Sequence, residues 1–164
     1  MKSFYLIFTI AFILFGFASS YKSGAPKETC EDMTPQHKVP PQKSRSPYVI
    51  RLSRTKIHAG ESVDVTITGK TTETFKGFLL QARLGSTPVG KFSTKGSSNL
   101  VKLTDCGSGS QNAATHASPD DKKEVVLRWT APPNLKETVV FYATVAKNGG
   151  EFWVSQKSRN LVVV

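Results

Sequence analysis

The chain has 164 residues, of which 22 are basic and 12 acidic, so its formal net charge is +10. This length is enough for one domain and excludes two domains of ordinary size. The positive charge favours anionic partners such as acidic glycans, phospholipids or bacterial envelope polymers, although solubility alone could also account for it.

The first twenty residues predict a secretory signal peptide. Lys2 precedes an apolar run over residues 4–17, and the small residues Ala18 and Ser20 stand three positions and one position before the predicted cleavage site at Tyr21. A membrane anchor is the alternative, but the run is shorter than the roughly twenty residues that a helix needs to span a bilayer. We therefore expect a secreted, extracellular protein without a transmembrane segment and without a nucleic-acid partner.

The two cysteines, Cys30 and Cys106, are expected to form a disulfide, because an even number of cysteines is typical of bonded pairs in exported chains. Two free thiols, or a bond between chains, are the alternatives. An intramolecular bond would close a long loop and stabilise the fold by roughly 4 kcal/mol if loop entropy dominates.

The segment 21–46 is polar and Pro-rich and has no hydrophobic period. A segment of this composition cannot bury enough apolar surface to order itself. We therefore expect Cys30 to hold it covalently, without packing.

Short β-strands are predicted from Tyr48 onward. Residues 63–67 alternate between apolar and polar side chains, which is typical of a strand with one wet face. The longer apolar run 75–84 could form a strand or a short helix, and its glycine and phenylalanines favour a strand. The other strands predicted in this half are 48–52, 89–92 and 100–103.

The second half of the domain contains a long polar stretch, 105–123, followed by further strands. The strands are predicted at 124–129, 138–146, 151–155 and 161–164, with Trp129 in the core. Because no segment keeps a helical period, the predicted fold class is all-β, an immunoglobulin-like β-sandwich over residues 21–164 with a disulfide-tethered N-terminal extension.

Motifs for catalysis are absent from the sequence. The three histidines, His37, His58 and His116, show no metal-ligand spacing, and there is no Gly-x-Ser-x-Gly motif. We therefore expect no enzyme activity, no cofactor and no metal, although scattered side chains could still converge in the fold. A disulfide would bring His37 and His116 into one neighbourhood, which leaves a weak metal or anion site there as a hypothesis.

Positive charge is concentrated in the first part of the domain. Between Met33 and Gly60 there is no acidic residue. The same stretch contains six basic residues, here called the basic strip: Lys38, Lys43, Arg45, Arg51, Arg54 and Lys56. The basic strip is predicted to bind phosphates or carboxylates of an anionic ligand, since Arg can hold either group through two parallel hydrogen bonds. Ordinary protection of an edge strand by charge is the alternative.

Several motifs along residues 21–164 resemble those of reeler domains. The most specific is Gly77-Phe78-Leu79-Leu80-Gln81-Ala82-Arg83. The others are Gly24-Ala25-Pro26, Cys30, Met33-x-Pro35-x-His37, Pro88-Val89-Gly90-x-Phe92, Cys106, Ala114-Thr115-His116, Trp129-x-Ala131-Pro132, Phe141-x-Ala143-Thr144-Val145 and Phe152-Trp153-Val154.

Stand-alone reeler proteins of this length are similar to the insect "putative defense proteins". The resemblance implies an immunoglobulin-like sandwich with a Cys30–Cys106 bond, a core strand with Arg83 at an edge, and a role in innate immunity. The expected function is antimicrobial defence through binding of bacterial envelope polymers such as lipopolysaccharide, with promotion of haemocyte aggregation and the haemocyte surface as a further partner.

Three other functions compare with this one. An extracellular adhesion or matrix module that binds a host receptor is the alternative. Direct membrane lysis is not expected, because residues 21–164 show no amphipathic basic helix. Reeler domains also occur in ferric-chelate reductase relatives that carry a haem-binding membrane portion, and their redox activity is not expected here.

Overall fold

Alternating apolar and polar residues build a two-sheet sandwich in the computed structural model, which describes residues 23–96 and 99–164. The predicted signal peptide lies outside these ranges and stays a prediction. In chain order the strands are β1 (Tyr48–Leu52), β2 (Lys56–Ile57), β3 (Ser62–Gly69), β4 (Gly77–Leu84), β5 (Thr87–Pro88), β6 (Lys91–Thr94), β7 (Val101–Thr104), β8 (Ala113–His116), β9 (Glu124–Thr130), β10 (Thr138–Ala146) and β11 (Phe152–Val163).

The strands form a four-stranded sheet, β1-β3-β9-β6, and a seven-stranded sheet, β2-β11-β10-β4-β8-β7, with β5 beside β4. The short β2 pairs with β11 in parallel, and the other pairs are antiparallel. A short 3₁₀ turn, Lys27–Cys30, precedes them. No helix within the described ranges is long and apolar enough to cross a bilayer. The predicted all-β sandwich is therefore confirmed.

The core lies between the inner faces of the two sheets. The register between β3 and β9 places Val63 opposite Trp129 and Val65 opposite Leu127, and all four side chains are buried. The Trp129 ring packs edge-on against Phe141 of the other sheet, with ring centres 5.4 Å apart. Burying each large apolar side chain contributes about 1.5–3 kcal/mol to stability. This gain explains why Trp129 lies in the core, as predicted.

Gly90 is required where the chain passes over Trp129. Its φ is +71°, and a Cβ at this position would lie 2.4 Å from the indole ring. The indole Nε1 donates a hydrogen bond to the Val89 carbonyl oxygen at 2.9 Å. The glycine therefore lets the backbone approach the ring closely enough for this bond.

The N-terminal extension packs on the sandwich, so the prediction that only Cys30 holds it is wrong. Met33 is fully buried, and its carbonyl oxygen accepts a hydrogen bond from Thr144 Oγ1 at 2.6 Å. The extension covers the outer face of β4, where Leu79 is also buried. The extension has few apolar residues, but they are enough to hold it in place because β4 presents an apolar face that would otherwise be exposed to water.

Two strand predictions also need correction. Residues 113–116 form β8, although they lie in the stretch expected to be a polar loop. Alanine has a low strand propensity, and β8 is ordered by its pairing with β4 on one side and β7 on the other. The two strands expected near the C-terminus are parts of one long strand, β11.

Candidate functional site

The predicted disulfide between Cys30 and Cys106 is present, with the two Cα atoms 5.5 Å apart. Asn112 fixes the backbone on the sandwich side of the bond. Its Oδ1 accepts a hydrogen bond from the Cys106 N–H at 2.7 Å, and its Nδ2 donates to the Cys106 carbonyl oxygen at 2.8 Å. The sandwich therefore presents a pre-ordered attachment point for the extension.

Arg83 binds the extension on the other side of the disulfide, so its predicted edge position is wrong. It lies on β4, paired with β10 and with β5, and is 7% exposed. Its Nη2 donates to the carbonyl oxygens of Cys30, at 2.7 Å, and Glu31, at 2.9 Å. Its Nε donates to Gln81 Oε1 at 2.6 Å. Burial lowers the pKa of Arg83, and the carbonyl oxygens compensate for the lost hydration of its charge.

The basic strip is exposed at all six positions. Its members lie on the extension (Lys38, Lys43, Arg45), on β1 (Arg51), after β1 (Arg54) and on β2 (Lys56). Arg51 is opposite Thr66 of β3, on the outer face of the four-stranded sheet. Arg54 lies 3.9 Å from the Glu61 carboxylate, so part of its charge is already paired at the surface.

Arg51 lies on the edge strand of the four-stranded sheet, where that sheet approaches β11 of the seven-stranded sheet. The edge strand β1 approaches β11 through Tyr48 and Trp153, whose rings are 5.5 Å apart. The Trp153 indole N–H donates to the Ser44 carbonyl oxygen at 3.1 Å, which holds the extension along the same side. The edge position of Arg51 is compatible with a binding surface and also with protection of the edge strand.

A buried lysine, Lys122, holds the loop that precedes β9. Lys122 is 2% exposed, and its ammonium donates to the carbonyl oxygens of Ser118 and Asp120, both at 2.7 Å, and of Lys76 at 2.9 Å. Burial lowers the pKa of Lys122. The sequence does not reveal its burial, because the run of two aspartates and two lysines that contains it is typical of a solvated loop. Its three bonds hold the loop before β9 against the start of β4.

A cavity of about 550 Å³ lies beside the N-terminal extension. Its other walls are the start of β4, the ends of β8 and β10, and the loop that Lys122 holds. We call it the histidine cavity. The residues that define it include Met33, His37, Phe78, Leu79, His116 and Ala146. His37 and His116 line the same space, as expected if the disulfide brings them together.

The two imidazoles differ in their surroundings. His116 Nδ1 lies 3.2 Å from Thr115 Oγ1 and 3.3 Å from the Phe78 backbone nitrogen. His37 packs edge-on against Phe152 at 5.0 Å between ring centres. Burial, and then the nearby His116, hold the pKa of His37 below its usual range. Among residues 23–96 and 99–164, no group of three or more His, Cys, Asp or Glu side chains could hold a metal ion.

Comparisons with known proteins agree on one family. Residues 28–164 match the family model for the Reeler domain. The chain is 42% identical over 151 residues to "Putative defense protein Hdd11" of Hyphantria cunea, covering 90% of this chain and 91% of that one. It is 41% identical over 144 residues to "Putative defense protein 2" of Antheraea mylitta, covering 85% and 89%.

A solved structure shows the same fold at lower sequence identity. The human F-spondin reeler domain superposes with a TM-score of 0.63 at 18% identity, covering 80% of this chain and 97% of that one. At this identity the likeness concerns the fold alone.

Proposed function

The chain belongs to the Reeler domain family, and we propose that it is a secreted, non-catalytic defence protein whose basic strip binds anionic polymers of the bacterial envelope, such as lipopolysaccharide. Near-full-length relatives named as defense proteins support a role in defence. The observation that carries the finer proposal is the basic strip itself, six exposed cations with no acidic residue between them in the sequence.

The layout of the strip favours a long anion over a small one. The six cations run from Lys38 to Lys56 and lie on four segments of the chain: the extension, β1, the turn after β1, and β2. A single phosphate cannot contact the whole strip. A polymer with repeated phosphates or carboxylates can engage several of these side chains at once, and its avidity then exceeds that of each contact.

Because the strip is exposed, salt should weaken its binding to an anionic polymer. At about 0.15 M ionic strength the Debye length is about 8 Å, so contacts between exposed charges are strongly screened. The residue directly opposite Arg51 is the uncharged Thr66, whereas Arg54 forms an ion pair with Glu61 that a ligand would have to replace. Arg51 is therefore the member of the strip from which we expect the largest single loss.

The test replaces four strip residues by serine: Lys43, Arg45, Arg51 and Arg54. The matched control replaces four exposed lysines elsewhere, and so removes the same charge: Lys27, Lys91, Lys102 and Lys136. Binding to surfaces coated with lipopolysaccharide should fall about tenfold or more in the strip variant and stay within about twofold in the control. Binding of the unmodified protein should weaken as sodium chloride is raised from about 50 to about 300 mM.

Equal losses in the two variants would show that net charge, without the position of the strip, drives binding, and would contradict the proposal. Haemocyte aggregation, which we propose follows from binding to bacteria, is scored with the same variants and should require the strip. Saturable binding to haemocytes without any microbe, unchanged in the strip variant, would instead support the adhesion alternative.

A further inference from the structure

The histidine cavity is a second candidate site, separate from the basic strip. None of the six strip residues lines it. Its volume of about 550 Å³ is within the range of small-molecule binding sites. Much of its lining is apolar, and Met33, Phe78 and Leu79 are each 3% exposed or less. Such a lining favours a ligand with an apolar body.

One polar atom at the cavity points to a ligand with a hydrogen-bonding head. His37 Nδ1 is buried and has no hydrogen-bond partner among residues 23–96 and 99–164. A buried polar atom without a partner has lost its bond to water and gained none in return, which destabilises the unliganded protein. A ligand oxygen that paired with this nitrogen would recover that cost, and the apolar contacts around it would orient the rest of the molecule.

The charges around the cavity favour an anionic head. His37, His116 and Lys76 line it, and the ammonium of Lys122 is bonded to the carbonyl oxygens of two lining residues, Lys76 and Asp120. Asp120 is the acidic side chain among the described lining residues. Two lysines, Lys76 and Lys122, stand against this one carboxylate, so the local potential attracts an anion. The lowered pKa of His37 would rise again on binding one, because an adjacent negative charge favours the imidazolium.

From this geometry we propose that the histidine cavity binds a small monocarboxylate with an apolar chain. The carboxylate accepts a hydrogen bond from His37 and lies in the positive field of Lys76 and Lys122. The chain lies against Met33 and Leu79, between the extension and β4. The extension, held by the disulfide and Arg83, thereby forms one wall of a binding site.

Isothermal titration calorimetry on the full chain, expressed in insect cells and purified from the medium, tests the ligand class. Octanoate is the probe, 1-octanol presents the same chain with a neutral head, and acetate presents the head alone. We expect saturable octanoate binding at one site. The affinity for 1-octanol should be lower by about fivefold or more, and acetate binding should not be detectable. Absence of saturable octanoate binding, or equal affinity for 1-octanol, would overturn the proposal.

Two variants assign the binding to the cavity. Ala146→Trp fills the space and should abolish octanoate binding. His37→Phe keeps a ring but removes Nδ1, and should weaken octanoate about tenfold while leaving 1-octanol within about twofold. His58→Phe, at an exposed histidine outside the cavity, is the matched control and should change neither.

Unchanged octanoate affinity in either cavity variant would overturn the assignment. The unfolding temperature of each unliganded variant is measured first. If Ala146→Trp does not fold, His37→Phe decides alone, since replacing a ring that has an unpaired buried nitrogen is expected to leave stability equal or higher.

Discussion

Replacing Arg83 by methionine should loosen the N-terminal extension although the disulfide stays intact. The guanidinium donates to the carbonyl oxygens of Cys30 and Glu31 and to Gln81 Oε1. In the variant the Cys30 oxygen keeps one partner, because Gln81 Nε2 also donates to it at 3.0 Å. The Glu31 oxygen and Gln81 Oε1 each lose the bond that Arg83 provides.

The expected cost follows from these two losses. Gln81 is buried, so leaving its Oε1 unpaired costs about 1–3 kcal/mol, whereas Glu31 is exposed and its carbonyl oxygen can bond water at a smaller cost. Methionine recovers part of this, because it packs well in irregular space and carries no charge that burial would penalise. We expect a net loss of about 2 kcal/mol, or roughly 6 °C in unfolding temperature for a domain of this size.

Two measurements check this prediction. Urea unfolding followed by tryptophan fluorescence gives the change in stability. Trypsin digestion under native conditions reports the extension directly, since Lys38, Lys43 and Arg45 lie within it and should be cleaved faster in the variant. The matched control is Arg128→Met, because Arg128 is exposed and pairs with Asp64 at 3.0 Å on the outer face of the sandwich. A surface pair of this kind is worth about 0–1 kcal/mol.

Equal unfolding midpoints for Arg83→Met and Arg128→Met, together with unchanged trypsin sensitivity, would refute the reasoning. It would mean that the disulfide alone fixes the extension. The same result would also remove the support for a rigid wall of the histidine cavity.

Three further predictions concern stability. Gly90→Ala should cost about 2–4 kcal/mol in urea unfolding, because its Cβ would overlap the Trp129 ring, whereas Gly85→Ala, at φ +58° with nothing within 4 Å, should cost about 1–2 kcal/mol. Burial raises the pKa of Tyr48 to about 12, so the stability that its neutral phenol provides should be present below pH 10 and lost between pH 10 and 12; urea midpoints across this range should fall less in Tyr48→Phe. Reduction of the Cys30–Cys106 bond, with a sequence separation of 76, should lower the free energy of unfolding by about 4–5 kcal/mol, measured with and without dithiothreitol.

The sandwich was predictable from sequence because apolar and polar residues alternate within each strand, and this alternation identifies the face that points into the core. The alternation in β3 and β9 identifies which side chains face inward, and the Asn-Gly-Gly turn after β10 indicates the hairpin with β11. These signals are local, so they do not depend on knowing the partner strand. The disulfide was predictable because only one intramolecular pairing of two cysteines exists.

The parts that sequence reasoning missed depend on partners far away in the chain. Met33 is buried only because β4 offers an apolar outer face, and β8 is a strand only because β4 and β7 flank it. Arg83 and Lys122 appear as surface charges in any local window. Their roles come from backbone carbonyl oxygens that the fold places around them, and composition carries no signal for such contacts.

The measurement that most directly tests the proposed function is chemical-shift mapping by NMR. A soluble, phosphorylated core oligosaccharide from lipopolysaccharide is titrated into ¹⁵N-labelled protein, and the amide shifts are followed residue by residue. The account predicts that the largest shifts cluster at Arg45, Arg51 and Arg54 and their neighbours, and that they diminish as salt is raised. Shifts centred on the opposite side, around Lys91 and Lys102, or shifts that are insensitive to salt, would contradict it.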